Sequence, residues 1–215
     1  GGDCLNVGCV PSKALLAAAH LAHQMRDAER LGIERHEPRI DFARVMEHVQ
    51  GVIQAIAPHD SRERFEGLGV QVVKAEARFA DRNTLEAGSE TIRARRFVIA
   101  TGSSPLVPKI EGLDRVPYFT NETLFDNEHK PAHLIVLGGG PVGLEMAQAH
   151  RRLGSTVTVI EQQAILPKDD PELANVVRAQ LLRDGIVLLE GAELARVERS
   201  PGGLAAQVKR QGTTM

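Results

Sequence analysis

Residues 1–13 read GGDCLNVGCVPSK and contain both cysteines of the chain, Cys4 and Cys9. Two thiols that lie this close can exchange electrons as a dithiol/disulfide pair. Five steps along a regular α-helix give about 7.5 Å of rise, which is at or beyond the Cα separation of roughly 7 Å that a disulfide allows. A bonded pair therefore requires a distorted turn between the cysteines, and Gly8 supplies the backbone freedom for it.

A helix is predicted directly after this segment, from Ser12 to about Arg30, because the apolar residues there recur at helical spacing. Gly32 is expected to end it. Pro11 suits the first turn, where a missing N–H has no intrahelical partner. A thiol beside that helix N-terminus is expected to have a lowered pKa.

The spacing of the two cysteines leaves several alternatives open when it is taken by itself. A structural disulfide or two ordinary buried thiols would show the same pattern. A zinc site is less favoured, because two cysteines provide only half of a tetrahedral shell and no histidine lies nearby at ligand spacing.

The composition narrows the class of protein. The 215 residues are 42% hydrophobic but only 3% aromatic, which predicts an aliphatic core in one large or two modest domains. The net charge of −2 gives no sign of a basic surface that would bind nucleic acid or an anionic membrane. We expect no apolar run long enough to cross a bilayer. Two cysteines favour a cytoplasmic protein with a working thiol pair over a secreted disulfide scaffold. Because the sequence begins inside a motif, we interpret it as a fragment cut at both ends.

The middle of the chain predicts a second helix followed by short strands. Asp41 is expected to cap a helix that runs to about Phe65 and is interrupted at Pro58. From Val70 the hydrophobic period changes to two, which predicts a small antiparallel meander. Phe97–Ala100 then has the pattern of a buried strand.

A proline-rich segment separates that predicted strand from a second strong motif. The strand ends in Thr101-Gly102-Ser103, and the stretch from Pro105 to about Pro131 is the predicted domain crossing. Beyond it, Leu134–Leu137 has the pattern of a buried strand, and GGGPVG follows at positions 138–143. This arrangement of strand, G-x-G-x-x-G and helix is the fingerprint of a dinucleotide-binding βαβ unit.

Each part of this fingerprint has its own physical role. Gly138 permits a tight turn, Gly140 lets the backbone approach a pyrophosphate, and Gly143 lets helix and strand pack closely. Pro141 and Val142 open the helix, whose N-terminus faces the phosphates.

An acid at the end of the next predicted strand completes the dinucleotide site. Glu161 follows the first glycine at close to the expected spacing of about 20 residues and can accept hydrogen bonds from ribose hydroxyls. It would repel a 2′-phosphate, and no arginine lies between Glu161 and Lys168, so NADH is favoured over NADPH. A helix from Asp170, a third parallel strand at Ile186–Leu189 and the start of another meander are predicted to follow.

The string at residues 1–13 closely resembles the redox-active segment of the pyridine nucleotide-disulfide oxidoreductases, and is most similar to that of dihydrolipoamide dehydrogenase and mercuric-reductase-like flavoproteins. The resemblance implies a flavoprotein in which electrons pass from NADH through FAD to the cysteine pair. Cys4 matches the interchange thiol that meets the substrate, and Cys9 matches the thiol that lies against the flavin. Lys13 and Glu145 match a Lys/Glu pair near the flavin ring, although a solvated lysine and a helix-surface glutamate remain the alternative.

The resemblance also implies an α/β fold with two Rossmann-like, three-layer nucleotide-binding domains, each with a small antiparallel meander. Both are incomplete: residues 1–110 form part of an FAD-binding domain, 111–131 the crossing segment and 132–215 part of an NAD-binding domain. The residues expected to contact FAD are Gly2, Asp3, Lys13, Thr101, Gly102 and Ser103, and those expected to contact NAD are Gly138, Gly140, Pro141, Val142, Gly143 and Glu161. Asp3 stands where many relatives have threonine, and Pro141 stands where glutathione-reductase-type enzymes have a gating tyrosine.

The implied substrate is a small dithiol, disulfide or metal ion, and the parent protein is expected to be a homodimer. The family's upstream FAD fingerprint and its C-terminal His–Glu base have no counterpart in this sequence. A nucleotide-binding redox-sensing module, or a truncated fragment without activity of its own, remains the alternative.

Overall fold

The computed structural model describes residues 2–210 and 213–214. Gly1, the first residue of the cysteine motif, lies outside the described residues. Within the described part, helices occupy the N-terminal region, and three three-stranded sheets follow. The second of these sheets is parallel and the other two are antiparallel, so the fold is mixed α/β as the sequence predicts.

Two consecutive helices contain the cysteine motif. Helix α1 spans Asp3–Asn6, and helix α2 spans Cys9–Asp27 and continues as a 3₁₀ turn over Ala28–Leu31. Gly32 ends this stretch with φ of +77°, as predicted. The predicted helix is therefore confirmed, but it begins at Cys9 rather than after the motif, which makes Pro11 its third residue.

The second predicted helix is also present and is interrupted as expected. Helix α3 spans Phe42–Ile56, and the Asp41 carboxylate accepts a hydrogen bond from the Arg44 N–H at 3.2 Å. A 3₁₀ turn over Ala57–Asp60 contains Pro58, and helix α4 covers Arg62–Gly67. Proline thus breaks the helix because it lacks the N–H that would continue the ladder.

The first meander contains strands β1, Ala77–Asp81, β2, Thr84–Ala87, and β3, Glu90–Arg93. Two neighbouring predictions were wrong. Residues 70–73 and 97–100 are not strands, and Val98 and Ile99 are 92% and 73% exposed. In the described part of the chain no strand pairs with either run, so the hydrophobic pattern has no ladder to join.

The parallel sheet contains β4, His133–Leu137, β5, Thr156–Glu161, and β6, Val187–Glu190, in that spatial order. Helix α5, Pro141–Arg152, connects the first two strands, and helix α6, Pro171–Arg183, connects the second and third. This βαβαβ arrangement is the one that the dinucleotide fingerprint predicts.

A second antiparallel meander closes the described chain. It contains β7, Ala192–Ser200, β8, Gly203–Arg210, and β9, Thr213–Thr214. The crossing segment packs on this meander, because the Val197 N–H donates to the Glu111 carbonyl at 2.9 Å and a side chain at Gly112 would collide with the Val197 carbonyl oxygen.

The largest buried cluster joins helices from both halves of the sequence. Leu15 of α2, Val49 of α3 and Ala149 of α5 are each fully buried within it. Leu124 and Phe125 of the crossing segment complete this core, and the Phe125 carbonyl accepts a hydrogen bond from Gln50. Helix α2 therefore packs directly against α5, so the helix that follows the cysteines contacts the helix that follows the glycine loop. The division into residues 1–110, 111–131 and 132–215 stays a prediction.

The helical stretch Asp3–Leu31, which includes α1 and α2, is long and apolar enough by length and composition to cross a membrane, so the expectation that no such run exists was wrong. A core helix of a soluble protein passes the same test. The apolar face of α2 has such a packing role here, because Ala14, Leu15 and Ala19 are buried against α3 and α5.

Candidate redox and dinucleotide site

The two cysteines approach each other across a break between two helices. Cys4 lies in α1, Cys9 is the first residue of α2, and the two thiols are close enough for Cys9 to influence the pKa of Cys4. Both are free, exposed thiols. A Cβ on Gly8 would lie 2.8 Å from the Asp3 carbonyl oxygen, so this close chain approach requires glycine. The sequence anticipated a distorted turn at Gly8, and the reason is proximity rather than a positive φ.

The protonation of Cys4 depends on its neighbours. The hydrogen bond with Cys9 raises the pKa of the Cys4 thiol, and desolvation and the negative charge of Asp60 act in the same direction. The lowered pKa that the sequence predicts for a thiol near this helix end does not apply to Cys4. Asp60 was missed in the sequence, because it lies in the 3₁₀ turn after α3, far along the chain from the cysteines, and no spacing rule connects it with them.

Lys13 and Glu145 meet between α2 and α5. The Lys13 Nζ lies 2.7 Å from the Glu145 Oε1, although the two residues are far apart in sequence. Their side chains are 62% and 39% exposed, so solvent screening leaves the ion pair little effect on stability. Its value is geometric, because it connects the helix after the cysteines to the helix after the glycine loop. Whether the pair lies near a flavin stays a prediction.

The residues predicted to contact FAD are partly brought together. The Asp3 carboxylate packs on Gly102, where a Cβ would lie 2.9 Å from Oδ2, and the φ of Gly102 is +70°. Thr101 and Ser103 are exposed on either side of it. Gly2 precedes α1, and its carbonyl accepts hydrogen bonds from the backbone and side chain of Asn6. The exposed loop around Gly102 therefore presents backbone and a carboxylate, which fit the hydroxyl groups of a flavin nucleotide better than its phosphates.

The glycine loop has the backbone geometry of a phosphate-binding turn. Gly138 has φ of +105°, and its N–H donates to the Ile160 carbonyl at 2.9 Å. A Cβ on Gly143 would lie 2.5 Å from the Gly138 carbonyl oxygen, so α5 and β4 could not pack as closely with any other residue. No atom lies within 4 Å of the position of a Cβ on Gly140, so the backbone there is open to a ligand.

Helix α5 begins at this open backbone. Pro141 is its first residue, Gly140 precedes it without a side-chain cap, and Val142 is exposed. Uncapped N–H groups at a helix N-terminus favour phosphate, and the positive end of the helix dipole adds to this preference. The geometry fits the pyrophosphate of a dinucleotide, whereas binding itself stays a prediction.

Glu161, the candidate ribose ligand, also holds the glycine loop. Its carboxylate accepts hydrogen bonds from the Gly139 N–H at 2.7 Å and from the Gln163 N–H at 2.8 Å. A carboxylate has about four acceptor positions, so acceptors remain for ribose hydroxyls. Gly139 was not assigned a role from the sequence, yet a Cβ there would lie 2.8 Å from Ile165 Cγ2. The position of Gly139 between two fingerprint glycines was the sequence feature that could have indicated its role.

Metal binding by a side-chain cluster finds no support in residues 2–210 and 213–214. No group of three or more His, Cys, Asp or Glu side chains in that part is arranged to hold a metal ion.

Comparisons with known proteins agree with this geometry. The chain is 38% identical over 212 residues to a mercuric reductase of Streptomyces lividans, covering 96% of this chain and 45% of that protein. It is 36% identical over 205 residues to a dihydrolipoyl dehydrogenase of Thermus scotoductus, covering 95% of this chain and 44% of that protein.

Solved structures support the fold. The HOCl-induced flavoprotein disulfide reductase RclA of Escherichia coli matches all of this chain and 46% of its own length with a TM-score of 0.77 at 24% identity. The chain thus spans less than half the length of these relatives. A family model described as pyridine nucleotide-disulphide oxidoreductase matches residues 1–215. The chain is therefore a member of the pyridine nucleotide-disulphide oxidoreductase family.

Proposed function

We propose that the full protein is an FAD-dependent oxidoreductase that passes electrons from NADH, or to NAD⁺, by way of FAD and the Cys4–Cys9 pair. The substrate is a dithiol, a disulfide or a metal ion. The observation that carries this proposal is the pair of free, exposed thiols on either side of the Gly8 turn, in a segment whose following helix, α2, packs against α5. A module that only bound a nucleotide would not need a pair of neighbouring, exposed thiols.

The reaction at the thiols is a two-electron exchange. Oxidation of Cys4 and Cys9 forms the S–S bond and releases two protons, and reduction reverses both changes. Bound FAD supplies the relay between the nicotinamide and this pair. Cys4 is the proposed interchange thiol because its position in the motif matches that thiol in the family, and its exposure leaves it accessible to a substrate.

Two substrate classes follow from the relatives. One is named mercuric reductase and the other dihydrolipoyl dehydrogenase, so a metal ion and a dithiol both belong to the proposal. The fragment by itself is proposed to be inactive, and the parent is proposed to be a cytoplasmic homodimer. The match to less than half of each relative supports the first of these statements.

The cofactor contacts divide between two surfaces. Gly2, Asp3, Lys13 and the 101–103 loop are proposed for FAD, and the glycine loop with Glu161 for the nicotinamide dinucleotide. Glu161 is proposed to favour NADH, because a carboxylate at the end of β5 would repel a 2′-phosphate; its hydrogen bonds to the Gly139 and Gln163 N–H groups support this by fixing it beside the glycine loop.

The test uses the full-length protein with FAD bound. Adding NADH without oxygen should increase the number of thiols that react with a disulfide reagent by two in the wild type, and by none in the Cys4→Ser or Cys9→Ser variants. The matched control is Ser12→Ala, which changes a hydroxyl outside the pair. NADH binding without any new thiol would overturn the proposal and favour the redox-sensing module.

A further inference from the structure

The segment that follows β5 is strained and held at several points. Leu166 has φ of +51°, the one positive value at a non-glycine position in the described residues. Its N–H donates to the Gly139 carbonyl at 2.9 Å, and the Gln163 carbonyl accepts from the Gly191 N–H at 3.1 Å. Strained backbone persists only where the surroundings over-determine it. These hydrogen bonds therefore fix the position of the segment.

The same segment fixes the glycine loop. Ile165 is fully buried, and its Cγ2 would lie 2.8 Å from a Cβ on Gly139, so it packs directly on that glycine. The Gly139 carbonyl is held by Leu166 and its N–H by Glu161. Because Gly139 lies between Gly138 and Gly140, any movement of the segment moves the backbone that faces the phosphates.

Glu190 holds this segment from the end of the neighbouring strand. Its Oε1 accepts a hydrogen bond from the Ile165 N–H at 2.8 Å. Arg178 of α6 grips the same carboxylate at two points, with Nε 2.9 Å from Oε2 and Nη2 2.8 Å from Oε1. The Arg178 Nη1 also donates to the Asn175 side chain. Two-point contacts of this kind fix the orientation of a carboxylate as well as its charge.

We propose that Glu190, oriented by Arg178, is a positioning residue for the nicotinamide dinucleotide. It acts through Ile165 and Gly139 on the phosphate-facing loop and sets the affinity for the dinucleotide without contacting it. The inference rests on the proposed function, because it assumes that the glycine loop binds NAD. Three of the four groups in this chain of contacts lie outside the fingerprint.

The experiment uses the full-length holoenzyme and two variants, Glu190→Gln and Arg178→Lys. Each keeps the approximate size of its side chain and weakens the charged grip. We expect calorimetric titration with NAD⁺ to give about tenfold weaker binding in both, because the loop that faces the phosphates is held less firmly; tenfold corresponds to about 1.4 kcal/mol. The KM for NADH should rise while kcat stays unchanged. The matched control is Glu172→Gln, an exposed glutamate of α6, which should bind as the wild type does.

The outcomes separate the two proposals. NAD⁺ affinity equal to the wild type in both variants would overturn the positioning role. A lower kcat with an unchanged KM would also overturn it, because that result describes a smaller folded fraction. Failure of the wild type to bind NAD⁺ would overturn the proposed function instead. If Glu190→Gln does not fold, Arg178→Lys decides, since it retains a positive charge beside the carboxylate.

Discussion

The thiol of Cys4 shows how a single neighbour changes the chemistry of a residue. Its position beside the start of α2 suggests a lowered pKa, because helix dipoles favour thiolates. The hydrogen bond with Cys9 opposes this, and the net direction for Cys4 is upward. An exposed thiol with a raised pKa is a poor nucleophile at neutral pH. The reactivity of Cys4 therefore depends on the state of Cys9, which is the first cause of the raised pKa.

We expect the raised pKa of Cys4 to appear in its alkylation by iodoacetamide in the reduced full-length protein. The alkylation rate should reach half of its maximum at a pH above the ordinary thiol pKa of about 8.5, because the protonated form is favoured. In Cys9→Ser the midpoint should move down toward that value, since the strongest cause of the shift is removed. Peptide-resolved mass spectrometry over a pH series measures this. The same midpoint in both proteins would contradict the assigned cause.

Among the elements, the ends of α5 and α6 are joined by a buried polar group. Arg152 donates to the Asp184 carboxylate at 2.9 Å, and these side chains are only 14% and 4% exposed. Gln148 and Gln180 donate to the same carboxylate. The Arg152 carbonyl accepts from the Arg26 side chain of α2 at 2.6 Å. Helices α2, α5 and α6 are thus joined around the buried Arg152–Asp184 ion pair.

Removing the arginine from this group should be costly. We expect Arg152→Ala to lower the free energy of unfolding by about 3–5 kcal/mol, because it leaves the Asp184 charge buried without its ionic partner. The matched control is Arg62→Ala, which breaks an exposed i,i+4 pair with Glu66 and should cost only about 0.3–0.5 kcal/mol. Chemical denaturation of the full-length protein measures both. Similar decreases in the free energy of unfolding in the two variants would show that the buried ion pair is no more important for stability than the exposed one.

At the scale of the whole molecule, the cluster of α2, α3 and α5 makes one unit of the two halves of the sequence. Leu15 is fully buried at its centre, whereas Leu21 on the same helix is 60% exposed. A cavity at the centre therefore disturbs the positions of both the cysteines and the glycine loop. This shared core makes the two parts depend on each other for stability.

That dependence gives a prediction for two leucines of one helix. Leu15→Ala should lower the free energy of unfolding by about 2–5 kcal/mol through lost burial and the remaining cavity. It should also weaken retention of both FAD and NAD⁺ in the full-length protein. Leu21→Ala should change stability by no more than about 0.5 kcal/mol, as an exposed site does. A Leu15 variant that loses only one of the two ligands would contradict the shared core.

Predictions were wrong for hydrophobic stretches whose structure depends on residues distant in the sequence. Phe97–Ala100 has the hydrophobicity of a buried strand, but a strand exists only if another strand offers it hydrogen bonds, and no strand of the described residues pairs with it. The membrane expectation failed for a related reason. The stretch Asp3–Leu31 is apolar enough to span a bilayer by composition, and the packing of α2 against α3 and α5 gives its apolar face another role.

The sequence by itself determined the features that arise from short-range chemistry. Helix caps, the proline interruption, the turn at Gly8 and the order of strand, glycine loop, helix, strand and acid all follow from hydrogen bonding and sterics within a few residues. Only the tertiary structure decided which distant groups meet: Lys13 with Glu145, Asp3 with Gly102, and Glu190 with Ile165. Such pairs depend on how helices and sheets pack across the whole chain, and no local pattern encodes that packing.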